Sequence, residues 1–239
     1  SIISSTNIEA HNYEPTANNI IEFNNNQLIV INGAGYDDWA KKAAEQVKSK
    51  TLIDVGEINN VKSGNNPHLF YSLKYIKTAI NIISNKLISL NPDLKNFFSE
   101  QTKSVEKEYN YLTEKIQQTS DKYTSNNSKK RKVVVTETIA DYLLNDLKFD
   151  NITPLGYLQS VSNEGEPTAE DLNSFRKLLN SKTPNLFILN TQEENNTTEQ
   201  LSSAAQNNNI KIIKITESMP EKYTSLNQWL ESVIEQIVD

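Results

Sequence analysis

The sequence predicts an α/β protein of two lobes with mainly parallel sheets, joined by a long rigid helix. Two observations predict it. Short apolar runs alternate with helical patterns in the first third of the chain and again after residue 132, and such alternation belongs to βαβ units. Between these stretches, apolar residues recur at three- and four-residue steps, which marks amphipathic helices.

The elements follow in order. Strands are expected at residues 1–5, 27–32 (around Leu28, Ile29, Val30 and Ile31) and 51–54, with helices at 16–23 and 36–48. Leu69, Leu73, Ile76, Ile80, Ile83, Leu87 and Leu90 line one face of a strong helix. Asn91 and Pro92 then reset the chain, with Asn91 as N-cap and Pro92 at the first helical position. A second helical pattern runs through Leu94, Phe97, Phe98, Val105, Tyr109, Leu112 and Ile116. A helix over 92–123 is roughly 48 Å long, more than one small lobe needs, so it is expected to run along both. Residues 125–132 are polar and basic and read as a solvated loop. The alternation resumes with a strand at 132–136, a helix at 139–147 and a weak strand at 152–158. Helix 168–179, strand 185–190, helix 198–207, strand 210–216 and helix 225–237 complete the chain. Thr168 with Asp171 three residues on resembles a capping box. The expected organisation is an N-terminal lobe at 1–91, a connecting helix at 92–124 and a C-terminal lobe at 125–239.

Composition narrows the function classes. The chain has 239 residues and a net charge of −6, which argues against nucleic acid as partner because phosphate binding needs a basic face. The basic stretch at 129–132 is short and has no interleaved aromatics. There is no cysteine, so disulfides, thiolate metal sites and cysteine nucleophiles are excluded. No run of apolar residues is long enough to span a bilayer as a helix. No signal-peptide pattern is present, and Ser1-Ile2-Ile3-Ser4 reads as a strand already under way.

Four residues are candidates for chemistry. The two histidines are His11, in the loop after the first expected strand, and His68, at the start of the long amphipathic helix. On spacing alone, two scattered histidines are more often surface or capping residues than a metal pair. Glu137 ends the run Val133-Val134-Val135-Thr136, and Glu217 follows residues 210–216. A carboxylate there either caps the next helix or faces a ligand at the carboxyl end of a parallel strand. Two donors from each lobe could converge.

The chain resembles the solute-binding receptors of zinc and manganese ABC importers, over nearly its whole length. Glu9-Ala10-His11-Asn12-Tyr13-Glu14-Pro15-Thr16 is similar to the family's first metal-histidine loop, and Asn32-Gly33-Ala34-Gly35-Tyr36 with Trp39 to its Asn-Gly-x-Gly turn. Asn66-Pro67-His68-Leu69-Phe70 looks like the second metal-histidine motif, and Val134-Val135-Thr136-Glu137 like the third-ligand strand. Glu164-Gly165-Glu166-Pro167-Thr168 resembles a loop before a C-lobe helix, and Ile215-Thr216-Glu217-Ser218 the last-ligand segment. Six modest motifs in one order make a specific pattern.

The resemblance implies a metal site in the inter-lobe cleft, with His11, His68, Glu137 and Glu217 as ligands. It also implies Zn2+ or Mn2+ as transported ligand and the membrane permease of a metal ABC importer as partner. A monomer is expected, at the periplasm or cell surface, with a lipid anchor in the full-length protein. Two departures stand out: the first strand and helix expected before Ser1 are missing, and residues 55–65 lack the histidine-rich acidic loop of many zinc members. Two imidazoles with two carboxylates form a harder set than three imidazoles, which leans toward manganese. Zinc is expected to bind at least as tightly in vitro. Alternatives from other classes are a surface adhesin with a structural metal and a metal-dependent hydrolase. The hydrolase would need an open coordination position and a spare general base, and no histidine remains for that task, so no enzyme is expected.

Overall fold

The computed structural model describes residue 2 and residues 13–47, 51–124 and 131–238. The strand expected at 1–5 lies outside them apart from Ile2, as does the basic loop at 125–130. The chain forms two compact units, Ser1–Thr113 and Glu114–Asp239, and each holds a parallel sheet.

In the first unit, α1 (Ala17–Asn25) starts at Thr16, whose hydroxyl accepts from the Asn19 N–H while Asn19 reaches back to the Thr16 N–H. This reciprocal pair satisfies two of the donors that a helix start leaves open. β1 (Leu28–Ile31), α2 (Asp38–Glu45) and β2 (Thr51–Asp54) follow, and the two strands pair in parallel from Leu28 with Thr51 to Ile31 with Asp54. Phe23, Ile29, Ile31, Ala40, Ala43, Ala44 and Val47 form the core. The small alanines of α2 let that helix lie close to the sheet.

After the short α3 (Val55–Ile58), α4 (Leu73–Leu90) starts at Ser72, whose hydroxyl accepts from the Tyr75 N–H. The helix reset at 91–92 takes a different form from the one expected. Residues Pro92–Leu94 make a 3-10 turn, Asn91 gives no side-chain cap, and its carbonyl accepts from the Leu94 N–H. The long helix α5 (Lys95–Thr124) begins only after that turn. Its 30 residues make a rod about 45 Å long, and it runs through the boundary between the units.

The second unit carries a four-stranded sheet of β3 (Lys132–Val135), β4 (Asp150–Asn151), β5 (Leu186–Asn190) and β6 (Lys211–Ile215), in the order β4-β3-β5-β6. All three pairings are parallel. Helices α6 (Asp141–Asp146), α7 (Leu155–Ser162), α8 (Ala169–Asn180), α9 (Asn196–Asn207) and α10 (Leu226–Val238) make the connections and the close. Val134, Tyr157, Phe175, Leu179, Phe187, Leu189, Leu201, Ala205 and Ile210 form one core cluster. Every residue of β5 is buried, as expected for a parallel strand covered on both faces. The Thr168 capping box is present, with Asp171 in the Glu position.

The weak strand expected at 152–158 is corrected. Only Asp150–Asn151 pair with β3, and α7 starts at Leu155. Pro154 brings no N–H to a ladder and restricts the residue before it to extended backbone, which ends the strand. Beyond it, Tyr157, Leu158 and Val161 fall at helical spacing and pack on the core cluster. Among the described residues, no helix is long and apolar enough to cross a membrane.

Candidate metal centre

The order β4-β3-β5-β6 makes a switch point. From β3 the chain steps to β4 on one side, then returns to β5 on the other side and continues outward to β6. The helical connections therefore diverge between β3 and β5, leaving a crevice beyond their carboxyl ends, where open parallel sheets bind ligands.

Glu137 stands there, two residues past the end of β3. It precedes the 3-10 turn Thr138–Ala140 without capping it, so the capping alternative for this residue is set aside. Its Oε2 accepts from Asn190 Nδ2 at 2.7 Å. Glu217 follows β6 by two residues and is 8% exposed. A carboxylate oxygen of Glu137 and one of Glu217 lie within 4.8 Å of each other. Two carboxylates that close, one of them buried, repel unless a proton or a cation sits with them. Oxygen donors at that separation can share one divalent ion.

Strand β5 furnishes the frame. Asn190 ends it, only 1% exposed, with its N–H donating to Thr136 Oγ1 and its Oδ1 accepting from the Gln192 N–H. Gln192 Oε1 accepts from the Ser218 N–H at 2.6 Å, next to Glu217. Neither Asn190 nor Gln192 was marked by the sequence patterns. The available signal was position: Asn190 ends β5 beside the end of β3, across the switch point from Glu137.

His68 belongs to the first unit. The structure puts it before a 3-10 turn (Leu69–Tyr71) and four residues ahead of Ser72, the α4 N-cap, rather than at the helix start. It is 3% exposed. Asn66 Oδ1 accepts from the His68 N–H at 3.0 Å and lies 2.7 Å from the ring Nδ1. Because Oδ1 is an acceptor in the first bond, Nδ1 is the ring donor, and Nε2 carries the lone pair that a metal would take. Tyr36 and Phe70 stand edge-on to the imidazole, with centroids 6.1 and 5.9 Å away.

The Asn-Gly-Ala-Gly turn after β1 supports this segment. Asn32 Nδ2 donates to the Pro67 carbonyl at 2.8 Å, which ties the turn to Asn66-Pro67-His68. Gly33 has φ +73°, and a Cβ there would stand 1.8 Å from Asp54 Oδ1, so any other residue would strain the backbone and displace the Asp54 carboxylate. Asp37 closes the turn by accepting from the Asn32 and Gly33 N–H groups, and burial raises its carboxyl above the ordinary range despite those bonds. His11 lies outside the described residues. Of the four expected ligands, Glu137 and Glu217 are thus together in the second unit, and His68 is presented by the first.

Two other groups in the second unit titrate above their ordinary range. Burial, with the Glu137 carboxylate adding to it, pushes the Tyr157 phenol up to about 12, which keeps it neutral. Burial pushes the Asp141 carboxyl up to about 6, partly opposed by the hydrogen bond from Asn151 Nδ2 at 3.2 Å. The folded chain therefore binds a proton at Asp141 that the unfolded chain releases between about pH 3.8 and 6, so this stabilisation is present below that window and lost as pH rises through it. Asp141→Asn should raise the unfolding free energy by about 1–3 kcal/mol at pH 8 and change it little at pH 4. Urea midpoints at the two pH values check this; an equal effect at both would refute it.

Paired carboxylates at a switch point, and an imidazole whose Nδ1 is held by Asn66 ahead of a 3-10 turn, are side chains of the kinds that take a divalent metal. The chain belongs to the ZnuA family, described as the zinc-uptake complex component A, periplasmic, which it matches over residues 1–239. The manganese ABC transporter substrate-binding lipoprotein scaA of Streptococcus gordonii is 24% identical over 233 residues, covering 90% of this chain and 71% of that protein. The corresponding lipoprotein PsaA of Streptococcus anginosus is 22% identical over 90% of this chain and 72% of its own length. Among solved structures, the periplasmic zinc binding protein TroA from Treponema pallidum superposes with a TM-score of 0.75 at 16% identity, over 97% of this chain and 87% of that one. FpvC of Pseudomonas aeruginosa, solved with Mn2+, gives 0.71 at 17% identity over 97% and 85%. At these identities the structures share the fold.

Proposed function

We propose that this chain captures Mn2+ or Zn2+ outside the cytoplasm and delivers it to the membrane permease of an ABC importer. His11, His68, Glu137 and Glu217 are the donor set. Residues 1–91 and 125–239 form the two lobes that contribute donors, joined by residues 92–124. The observation that carries this reading is the approach of the Glu137 and Glu217 carboxylates to within 4.8 Å at the sheet's switch point, in a chain of the ZnuA family. Four donors from protein leave little room for an activated water, so the metal reads as cargo rather than catalyst. The protein acts as a monomer without nucleic acid, and the lipoprotein names of its relatives support a lipid anchor on the full-length protein.

The test is metal analysis of protein purified without added metal, followed by competition titration with Zn2+ and Mn2+. Glu217→Ala should weaken binding of both ions by more than the about 10–100-fold typical of losing an outer partner. Glu221→Ala, at an exposed position nearby, should leave both affinities unchanged. Equal affinities for all three proteins would remove Glu217 from the donor set. Metal-dependent hydrolysis of a generic ester, lost in Glu217→Ala, would favour an enzyme instead.

A further inference from the structure

We infer that Asn66 sets how strongly His68 holds the ion: its amide fixes the imidazole for metal but leaves the bond weaker, and the ion more easily released, than a carboxylate would. This deepens the reading of His68 as a metal donor and rests on it. Asn66 Oδ1 accepts from the His68 N–H at 3.0 Å and stands 2.7 Å from the ring Nδ1. The backbone bond identifies this end of the amide as the oxygen, which makes Nδ1 the ring donor. At 3% exposure, the imidazole has Asn66 rather than bulk water as its partner on that side. Pro67 between them fixes its own φ and brings no N–H to compete for Oδ1. Its carbonyl accepts from Asn32 Nδ2 at 2.8 Å, so the segment is also held from the turn after β1.

The chemistry of this partner decides how much electron density the ring can give a metal. An ion on Nε2 draws density from the imidazole, and positive charge grows at the Nδ1–H. A carboxylate facing that N–H would meet the charge with a charge-assisted bond, roughly twice as strong as a neutral one, and would raise the basicity of the ligand. The Asn66 amide carries no charge. It supplies the orientation and the tautomer without that added grip. For a protein that hands its ion on, the difference shows mostly as faster release. Asn66→Asp separates the two roles. It keeps Oδ1 as the acceptor for the His68 N–H and exchanges the amide nitrogen for a second carboxylate oxygen.

The experiment titrates Zn2+ and Mn2+ in competition against the wild-type chain, Asn66→Asp, Asn66→Ala, His68→Ala, and Asn66→Asp combined with His68→Ala. Metal-free melting checks that each is folded, and stopped-flow transfer to a chelator reads the rate of release. Asn66→Asp should bind both ions about tenfold more tightly and release them more slowly, whereas Asn66→Ala should bind them about 10–100-fold more weakly. In the His68→Ala background Asn66→Asp should have no effect, because the gain passes through the imidazole. A gain that persists there is the mere attraction of an added charge and overturns the proposal. The chain has two histidines, so the imidazole nitrogens give a simple NMR spectrum. Metal-free His68 should carry its proton on Nδ1 in the wild type, and a proton on Nε2 overturns the proposal. The absence of tighter binding in folded Asn66→Asp overturns it too. So does failure of both Asn66 variants to fold, because Asn66 would then serve the fold. If His68→Ala keeps wild-type affinity for both ions, it is the reading of His68 as a donor that fails, and this proposal with it.

Discussion

A thousandfold excess of Zn2+ or Mn2+ over its dissociation constant should stabilise the chain by about 4 kcal/mol, because a ligand that binds only the native state adds to stability by mass action. For a protein of this length that is a rise in melting temperature of about 8–16 °C. Glu217→Ala should lose most of the rise while melting close to wild type without metal, since removing Glu217 relieves its repulsion with Glu137, whose carboxylate is within 4.8 Å. Two ionised carboxylates at that distance are a cost to the fold, which a cation bound between them would offset. Scanning calorimetry with and without metal decides the matter. Should Glu217→Ala keep the full metal-induced rise, the carboxylate pair is not where the ion binds.

The second large effect belongs to the core beneath that pair. Phe187 lies in the middle of β5, fully buried, with its ring centroid 6.1 Å from that of Phe175, which in turn sits 4.8 Å edge-on from Tyr157. Phe187→Ala should cost about 3–5 kcal/mol, combining lost transfer energy with the cavity left behind. Phe187→Leu should cost much less, because most of the volume is kept. Denaturant midpoints for both variants check this, and an alanine variant within about 1 kcal/mol of wild type would mean that neighbours collapse into the gap. The effect should reach the site too, since Asn190 ends the strand that Phe187 anchors.

Much of the fold was legible because burial imposes patterns on a sequence. The runs Leu28–Ile31 and Lys132–Val135 were read within two residues of their observed bounds, since an unbroken run of β-branched and aliphatic residues suits a strand, and in Lys132–Val135 three of the four are buried. The helical stripe from Leu73 to Leu90 was equally plain. The miss at 152–158 came from mixing two elements: Ile152 packs from the strand side of Pro154 and Leu158 from the helix side, and a short apolar run cannot separate the two periods. The carboxylates were legible because they end apolar runs. Asn190 was not, because this chain uses asparagine freely in turns, caps and connections, and a hydrogen bond to Glu137, 53 positions away, leaves no local trace. The role of Asn66 in fixing the His68 tautomer was hidden for the same reason, although both lie in one short motif.

The strand order also sets a timetable for the growing chain. Val133, Val134 and Val135 find their β5 partners at Leu186, Phe187 and Ile188, while β4 covers only Lys132 and Val133 on the other side. At a synthesis rate of about 5–20 residues per second, roughly 3–10 s pass before the missing neighbour is made. During that interval an unpaired apolar strand is open to the wrong partner. The arrangement that creates the ligand crevice, two crossovers diverging from one strand, is therefore also what leaves that strand waiting. In a chain that emerged and folded from its N-terminus, Val133–Val135 would lack their β5 neighbours, and the crevice its second wall, until residues 186–188 followed.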